Sequence, residues 1–445
     1  MLLQDFLNLL LNERAKKMEL LNITVGGFRN IGRTTVSFDS ITALAGVNGS
    51  GKSNLMDAID FGFDFIHQPN ETRRKMMASS SQIPILKSIA GNNYFFSIEA
   101  KTESTTPGYY VEYGFEFSWQ TDKSTAKIVR EFLNVKKDEK YKRYASFIIR
   151  EEERAVYLPS MTGRCDKAIK IEESALVLTK LLSFDDLFYA DILSEVYSAQ
   201  YFVERHLDAS PSFAFDPFVT RGFKELELAG IENYPRAIFY LKKTFPNKYK
   251  LLINAFKVLF PNVKDVNVEE YKLNQNKKFK LSENAPIMVS DNYYSLSILD
   301  DNMIQPLRFE RLSDGTKRVF LMLTAAVIAD ISGLSLIGIE EPENSIHPSL
   351  LQSFLDVISQ LVNKCKIIIT SHSPYIIQYI NPHSIYIACA NTTGESSFER
   401  IAANKVKILQ NDADEYGKTT GDYLFSILSS ADAKEYLKEY LSSNG

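Results

Sequence analysis

The sequence is poor in the residues that build disulfide frameworks and metal clusters. Its 445 residues include only three cysteines, Cys165, Cys365 and Cys389, and no two of them form a C-x-x-C pair. This spacing excludes a disulfide-stapled secreted domain and a zinc site made of cysteines. Free thiols of this kind fit a reducing compartment, so we expect a cytoplasmic protein.

Long apolar runs are also missing. No stretch of about 18 consecutive apolar residues occurs, so the sequence predicts no membrane span and no membrane partner. The apolar run at the N-terminus is short, meets Asp5 at once and has no basic region before it. We therefore expect no secretion signal.

An excess of positive charge is absent as well, since the formal net charge is -4. Contact with nucleic acid would require a local basic patch rather than the whole surface. Two basic clusters occur, Arg73-Arg74-Lys75 and Lys136–Arg143. We interpret them first as solvated faces and second as nucleic-acid contacts, so both alternatives stay open.

What the chain does have is an ordinary globular composition, with 45% hydrophobic and 24% charged residues. Two α/β pieces flank a long middle segment that alternates with period two and then turns helical. Neither piece has enough strands alone, so we expect them to complete one parallel sheet. The predicted segments are an N-terminal helix (1–17), a first α/β part (18–100), an insertion of a β lobe and helices (101–304), a second α/β part (305–390) and a tail (391–445).

The first chemical motif is the run G-V-N-G-S-G-K-S over 46–53, which follows a predicted strand and precedes a predicted helix. This is a complete P-loop pattern in the required context. Its backbone amides would cradle phosphate, with Asn48, Gly49, Ser50 and Gly51 forming the turn. Lys52 would reach the β- and γ-phosphates of ATP, and Ser53 would bind Mg²⁺.

A second motif places two adjacent carboxylates, Glu340 and Glu341, after the buried strand predicted over 334–339. Ligands of parallel sheets bind at this end of the strands. Neighbouring strand residues point to opposite sides, so the two acids can have different roles. We predict that Glu340 holds Mg²⁺ through water and that Glu341 polarises the attacking water.

Two further motifs are interpreted as parts of the same ligand site because the first two motifs are present. Ser313 and Gly315 belong to an L-S-D-G-T-K run at a helix start, where a hydroxyl and backbone amides can bind an anion. His372 follows the strand predicted over 366–370 and would lie at the same ligand crevice. There it could bond a γ-phosphate.

In this order, the four motifs resemble the ABC-class ATPases of the RecF, SMC and OLD type, including Phe28-Arg29-Asn30 near the start. The resemblance assigns Walker A to Lys52 and Ser53, the ABC signature to Ser313 and Gly315, and the switch histidine to His372. It assigns Walker B and the catalytic glutamate to Glu340 and Glu341. The signature is not L-S-G-G-Q and the first Walker B acid is not Asp, and both variants look like the bacterial stand-alone AAA-21 and AAA-15 ATPases.

The resemblance implies an ABC-type P-loop fold split by an insertion, and an ATP hydrolase that closes as a homodimer or higher oligomer. Ser313 and Gly315 would then act in trans, on the ATP bound to the partner. Relatives of this kind imply control of a separate effector, a nuclease or toxin, in anti-phage defence of the Septu or PARIS kind. Two alternatives stay open: a RecF-like repair ATPase that clamps DNA, and a scaffold that oligomerises on ATP with negligible turnover.

The same resemblance requires a Q-loop glutamine, for which Gln200 and Gln82 are the candidates. It also marks what is missing. No coiled-coil insertion or cysteine hook occurs, which excludes an SMC protein. The acidic pair Asp412-Ala413-Asp414 lies in polar sequence, and we interpret it as a solvated loop rather than a nuclease site.

Overall fold

The computed structural model describes residues 18–102, 108–121, 125–184, 186–205, 209–213, 218–220, 234–273, 287–344, 346–362, 365–391, 393–430 and 433–442. The helix predicted over 2–17 and the polar segment 274–286 lie outside the described residues. The chain divides into two compact units, the first within Met1–Val203, Gly333–Glu341 and Lys364–Gly445, and the second within Glu204–Ser332 and Pro342–Asn363.

The strands of the described residues are β1 (Glu19–Phe28), β2 (Ile31–Ser37), β3 (Ile41–Ala45), β4 (Tyr94–Thr102), β5 (Tyr109–Ser118), β6 (Lys127–Lys137), β7 (Ala145–Glu151), β8 (Arg154–Tyr157), β9 (Lys167–Ala168), β10 (Tyr201–Glu204), β11 (Phe218–Thr220), β12 (Val263–Lys272), β13 (Ile287–Val289), β14 (Asn292–Asp300), β15 (Leu307–Arg308), β16 (Leu336–Glu340), β17 (Lys366–Ser371), β18 (Ile385–Ala390) and β19 (Ser396–Arg400). The helices are α1 (Lys52–His67), α2 (Asn70–Met77), α3 (Val177–Leu181), α4 (Ala190–Ser198), α5 (Ser210–Phe213), α6 (Tyr234–Thr244), α7 (Pro246–Leu259), α8 (Asp314–Ser332), α9 (Pro348–Leu361), α10 (Pro374–Tyr379), α11 (Val406–Glu415), α12 (Thr420–Leu428) and α13 (Ala433–Leu437).

A large sheet organises the first unit, and its strand order is β10-β16-β17-β3-β18-β19-β2-β1-β4-β5-β6-β7-β8-β9. Strands β16, β17, β3 and β18 are parallel neighbours. Strand β3 comes from the first α/β part of the sequence and lies between β17 and β18 from the second part. The two parts therefore complete one parallel sheet, which confirms the predicted α/β class.

The strands from β1 and β2 outward to β9 form an antiparallel extension of the same sheet. Helix α1 covers one face of it, because alternate side chains of β4 and β5 pack against the helix. Phe65 of α1 stacks on Phe115 and Phe117, with ring centroids 4.8 and 5.0 Å apart. Tyr94 is fully buried and donates its hydroxyl proton to the carbonyl of Ala58 at 2.7 Å.

A buried ionic cluster ties this extension to the helices beside it. Both carboxylate oxygens of Glu131 accept backbone N–H bonds, from Val177 at 2.6 Å and Leu178 at 2.9 Å, at the start of α3. Burial is the largest influence on this carboxyl and raises its pKa. Arg73 is also buried, and it donates to the carbonyls of the last turn of α1. The prediction that Arg73 lies on a solvated face is therefore wrong, because this side chain closes the end of a helix.

The second unit is built around the long helix α8, most of which is buried. Phe256 of α7 and Phe320 of α8 pack with Phe213 and Phe309 in one aromatic cluster. Strands β12, β14 and β15 form an antiparallel sheet in this unit. This sheet was not predicted from the sequence, although β12 and β14 bury alternate residues as strands do.

The bounds of the two units differ from the predicted insertion over 101–304. The antiparallel strands of 94–168 continue the large sheet, so they belong, together with α3 and α4, with the P-loop segment, whereas α5, α6 and α7 belong to the second unit. Two features of the tail also differ from expectation. Strand β19 pairs with β18, and Asp412-Ala413-Asp414 lies on helix α11 rather than in a loop, because Leu409 and Ala413 are buried one turn apart. Across the described residues, no helix is long and apolar enough to span a membrane.

Candidate functional site

The P-loop turn connects β3 to α1. Gly51 has a φ of +94°, and a Cβ built there would lie 2.1 Å from the Oγ atom of Ser396, so only glycine fits. Lys52 folds back into the turn, where its Nζ atom donates to the carbonyls of Gly46 and Val47 at 2.7 and 3.0 Å. The ammonium group therefore lies beside the backbone of the turn that the P-loop pattern uses to bind phosphate.

The other side chains of the turn differ in exposure. Asn48 and Ser53 are exposed, and Ser53 stands in the first turn of α1. Ser50 is buried, and its hydroxyl has no hydrogen-bond partner among the residues that the structure describes. The turn therefore presents hydroxyls, an ammonium group and the start of a 16-residue helix at one place.

The acidic residues lie at the same edge of the sheet. Glu340 ends β16 and pairs with Thr370 of β17, which in turn pairs with Leu44 near the end of β3. Adjacent strands are about 4.8 Å apart, so Glu340 stands about 10 Å from the strand that leads into the P-loop. The carboxyl ends of these parallel strands form the crevice in which ligands of such sheets bind.

Glu341 and His372 meet directly at this edge. The Nδ1 atom of His372 lies 3.2 Å from the Oε1 atom of Glu341, and both side chains are partly exposed, at 37% and 30%. The amide of Glu341 donates to the carbonyl of Thr370 at 3.0 Å, and the φ angle of Glu341 is +45°. His372 follows β17 and precedes α10, whose first turn is capped by Ser373. Two separate strands thus bring a carboxylate and an imidazole together.

Ser313 and Gly315 lie in the second unit, at the start of α8. The Oγ atom of Ser313 accepts a hydrogen bond from the amide of Thr316 at 3.2 Å, which is the geometry of a helix N-cap. Ser313 is exposed, while Lys317 is buried and pairs with Asp314 at 2.8 Å. The signature residues are thus presented at the surface of their own unit.

The two Q-loop candidates lie in different places. The carbonyl of Gln200 accepts from the amides of Ser335 and Leu336, at the beginning of β16 and therefore at the opposite end from Glu340. The carbonyl of Gln82 accepts from the amide of Arg29, in the turn between β1 and β2. This position of Gln200 does not support the role that the resemblance requires, and the Q-loop assignment stays a prediction.

One set of contacts around the P-loop was not predicted from the sequence. Arg29 donates to Asn54 at 2.9 Å and pairs with Asp57 at 2.5 Å, and both partners lie on α1. Asn30 contacts Asn54 and also Ser396 of β19. The resemblance around Phe28-Arg29-Asn30 was the signal that could have found them.

Comparison with family models decides the classification. The model described as "AAA domain, putative AbiEii toxin, Type IV TA system" matches residues 41–158 and 166–378, which is well over half of the chain. The chain belongs to this AAA domain family. No curated protein matches the sequence.

Members of a second group are similar in fold alone. The SMC head bound to the C-winged helix domain of ScpA shares 13% identity, with a TM-score of 0.47 and coverage of 88% of this chain and 99% of that one. The SMC head domain from Thermotoga maritima shares 13%, with a TM-score of 0.41 and coverage of 87% and 100%. A Pyrococcus furiosus SMC head shares 12%, with a TM-score of 0.47 and coverage of 89% and 100%.

The donor set around the P-loop of this AAA domain protein fits ATP and Mg²⁺. Mg²⁺ in nucleotide sites is held by one or two protein oxygens together with water and phosphate oxygens. The exposed hydroxyl of Ser53 and the carboxylate of Glu340 are oxygens of that kind, on neighbouring parts of one sheet edge. No protein cluster of three or more ligands is needed for such an ion, and the described residues contain none.

Proposed function

We propose that this protein is an ATP hydrolase that binds ATP and Mg²⁺ between two copies of the chain. The observation that carries the proposal is the edge of the parallel sheet, where the P-loop, Glu340 and the Glu341–His372 pair come together in one unit. Family membership supports nucleotide binding, and the site chemistry supports hydrolysis.

The residues divide the work in a way that follows from their positions. Lys52 exchanges its bonds to the carbonyls of Gly46 and Val47 for the β- and γ-phosphates. Ser53 and Glu340 would hold Mg²⁺, which neutralises charge on the phosphates. Glu341 accepts a proton from the attacking water, and His372 orients that carboxylate from 3.2 Å.

Closure by a second copy follows from the signature residues. Ser313 is exposed and Gly315 is half-buried at the start of α8, where a helix N-terminus attracts anions. In the proposed homodimer they cap the γ-phosphate bound by the partner, so each ATP is shared. The Glu341–His372 pair favours turnover over the alternative of a scaffold that only binds ATP.

The biological role that we propose is control of a separate effector in bacterial anti-phage defence. The family description, which names a toxin and a toxin–antitoxin system, supports this role. The DNA-clamping alternative gains nothing from the first basic cluster, because Arg73 is buried in the fold and Arg74 and Lys75 pair with glutamates.

The experiment compares ATP binding, ATP turnover and light scattering in three proteins: the wild type, Lys52→Ala and Ser313→Arg. Lys52→Ala should lose ATP binding while keeping the fold. Ser313→Arg should keep ATP binding to the single subunit but lose turnover. The bulky arginine would prevent the start of α8 from reaching the γ-phosphate bound by the partner. Normal turnover in Lys52→Ala would contradict the nucleotide site, and normal turnover in Ser313→Arg would contradict the shared site.

A further inference from the structure

A polar bridge joins three distant segments of the first unit beside the P-loop. Asn30 lies in the turn between β1 and β2, Asn54 on α1, and Ser396 at the start of β19. The Nδ2 atom of Asn54 donates to Oδ1 of Asn30 at 2.7 Å, and the Nδ2 atom of Asn30 donates to Oγ of Ser396 at 2.8 Å. The backbone closes the same bridge, since the amide of Ser396 donates to the carbonyl of Asn30 at 3.0 Å.

The bridge touches the P-loop itself at Gly51. A Cβ built on Gly51 would lie 2.1 Å from Oγ of Ser396 and 3.3 Å from Nδ2 of Asn30. Gly51 directly precedes Lys52, and Asn54 directly follows Ser53. The bridge therefore holds both sides of the Lys52–Ser53 step.

Arg29 reinforces the same corner from the other side. Its φ angle is +46°, a conformation that non-glycine residues adopt at a cost. The guanidinium donates to Asn54 at 2.9 Å and pairs with Asp57 at 2.5 Å. The turn between β1 and β2 is thus fastened to α1 at two successive residues, Arg29 and Asn30.

We propose that Asn30 and Ser396 are positioning residues that hold Gly51, Lys52 and Ser53 in the phosphate-binding conformation before a nucleotide arrives. This inference rests on the proposed function. A preformed cradle loses less conformational freedom on binding than a loose one, so the bridge raises affinity for ATP. Strand β19, which none of the four motifs includes, thereby contributes to the nucleotide site.

Ser396 begins β19, which is the third strand along the sheet from the β17 strand that His372 follows. The bridge should therefore act on binding and leave the chemical step alone. Asn30→Ala removes two hydrogen bonds of the bridge and Ser396→Ala removes one. For both variants we expect the Kd and KM for ATP to rise about five- to tenfold. The kcat value should stay within about twofold of wild type, because a positioning effect on the ground state does not alter the water-polarising carboxylate.

The experiment measures Kd by calorimetry and KM and kcat by phosphate release for Asn30→Ala, Ser396→Ala and the double variant. Ser397→Ala is the matched control, since its hydroxyl donates to the carbonyl of Cys389 at 3.1 Å within the β18–β19 hairpin. Asn30→Asp keeps an acceptor for Asn54 and should recover part of the affinity. The Kd of the double variant for ATP should lie within about twofold of the higher Kd of the two single variants, because both changes break the same bridge.

Three outcomes would overturn the proposal: unchanged affinity in both single variants, a fall in kcat at constant KM, or an equal loss of affinity in Ser397→Ala. Lys52→Ala, measured in parallel, separates this proposal from the function on which it rests. Loss of ATP binding in Lys52→Ala with normal affinity in the bridge variants overturns the bridge alone. Absence of ATP binding in the wild type overturns both.

Discussion

Glu341 combines a proposed chemical role with a backbone conformation that suits glycine. Its φ angle of +45° places it in the left-handed region, although it has a long side chain. The hydrogen bond that the amide of Glu341 donates to the carbonyl of Thr370, at 3.0 Å, fixes this conformation where β16 ends. The backbone strain and the carboxylate can be separated by substitution, because glutamine removes only the charge and glycine removes both.

The size of the effect follows from that geometry. A left-handed conformation costs an L-residue about 1 kcal/mol relative to glycine. Glu341→Gln keeps the side-chain shape and the same φ angle, so its free energy of unfolding should match wild type within about 0.5 kcal/mol. The free energy of unfolding of Glu341→Gly should exceed that of Glu341→Gln by about 1 kcal/mol, because removing the partly exposed side chain costs little packing. That difference corresponds to about 1 °C in Tm for a protein of 445 residues.

Turnover should respond in the opposite direction. Both variants lose the group that accepts a proton from water, and we expect ATP hydrolysis to fall by roughly 10²–10⁴. ATP binding continues in Glu341→Gln, so the closed dimer should accumulate with ATP and be visible by light scattering. Thermal unfolding without nucleotide and phosphate release test both halves. Equal Tm values for the glycine and glutamine variants would refute the strain argument, and wild-type turnover in Glu341→Gln would refute the chemical role.

The parallel core of the fold could be predicted from the sequence because its signals are local. A buried strand followed by a glycine-rich turn and a helix defines β3, the P-loop and α1, and β3 has the predicted bounds of Ile41–Ala45. The strand that ends at Glu340 and the strand that precedes His372 show the same pattern of a buried apolar run followed by polar residues and a helix. Parallel strands of this kind are apolar throughout, so their own residues mark them.

Strand β19 could not be predicted, because its residues carry little of that signal. Only Phe398 is apolar in S-S-F-E-R, and the strand forms through pairing with β18. Its first residue, Ser396, reaches Asn30 across 366 positions of sequence. Arg73 is a similar case, since its burial depends on carbonyls at the end of α1 that the fold brings to it. Contacts of this kind depend on how separate elements pack together rather than on the residue pattern within any one element.

Two further predictions test the packing that supports this sheet edge. A Cβ on Gly338 of β16 would lie 2.3 Å from the hydroxyl of Tyr201, so Gly338→Ala should lower the free energy of unfolding by about 1–3 kcal/mol in urea, while Gly91→Ala, which meets open space, should not. Glu131→Gln keeps only one of two acceptors for the amides at the start of α3 and should cost about 1–3 kcal/mol. Burial raises the folded-state pKa of Glu131 above its ordinary 4.5, so the wild type loses this group's contribution as pH rises through the folded-state pKa. The deficit of the variant should therefore be largest below pH 4.5 and should shrink as pH rises through the folded-state pKa, and a deficit that grows with pH would contradict the assignment.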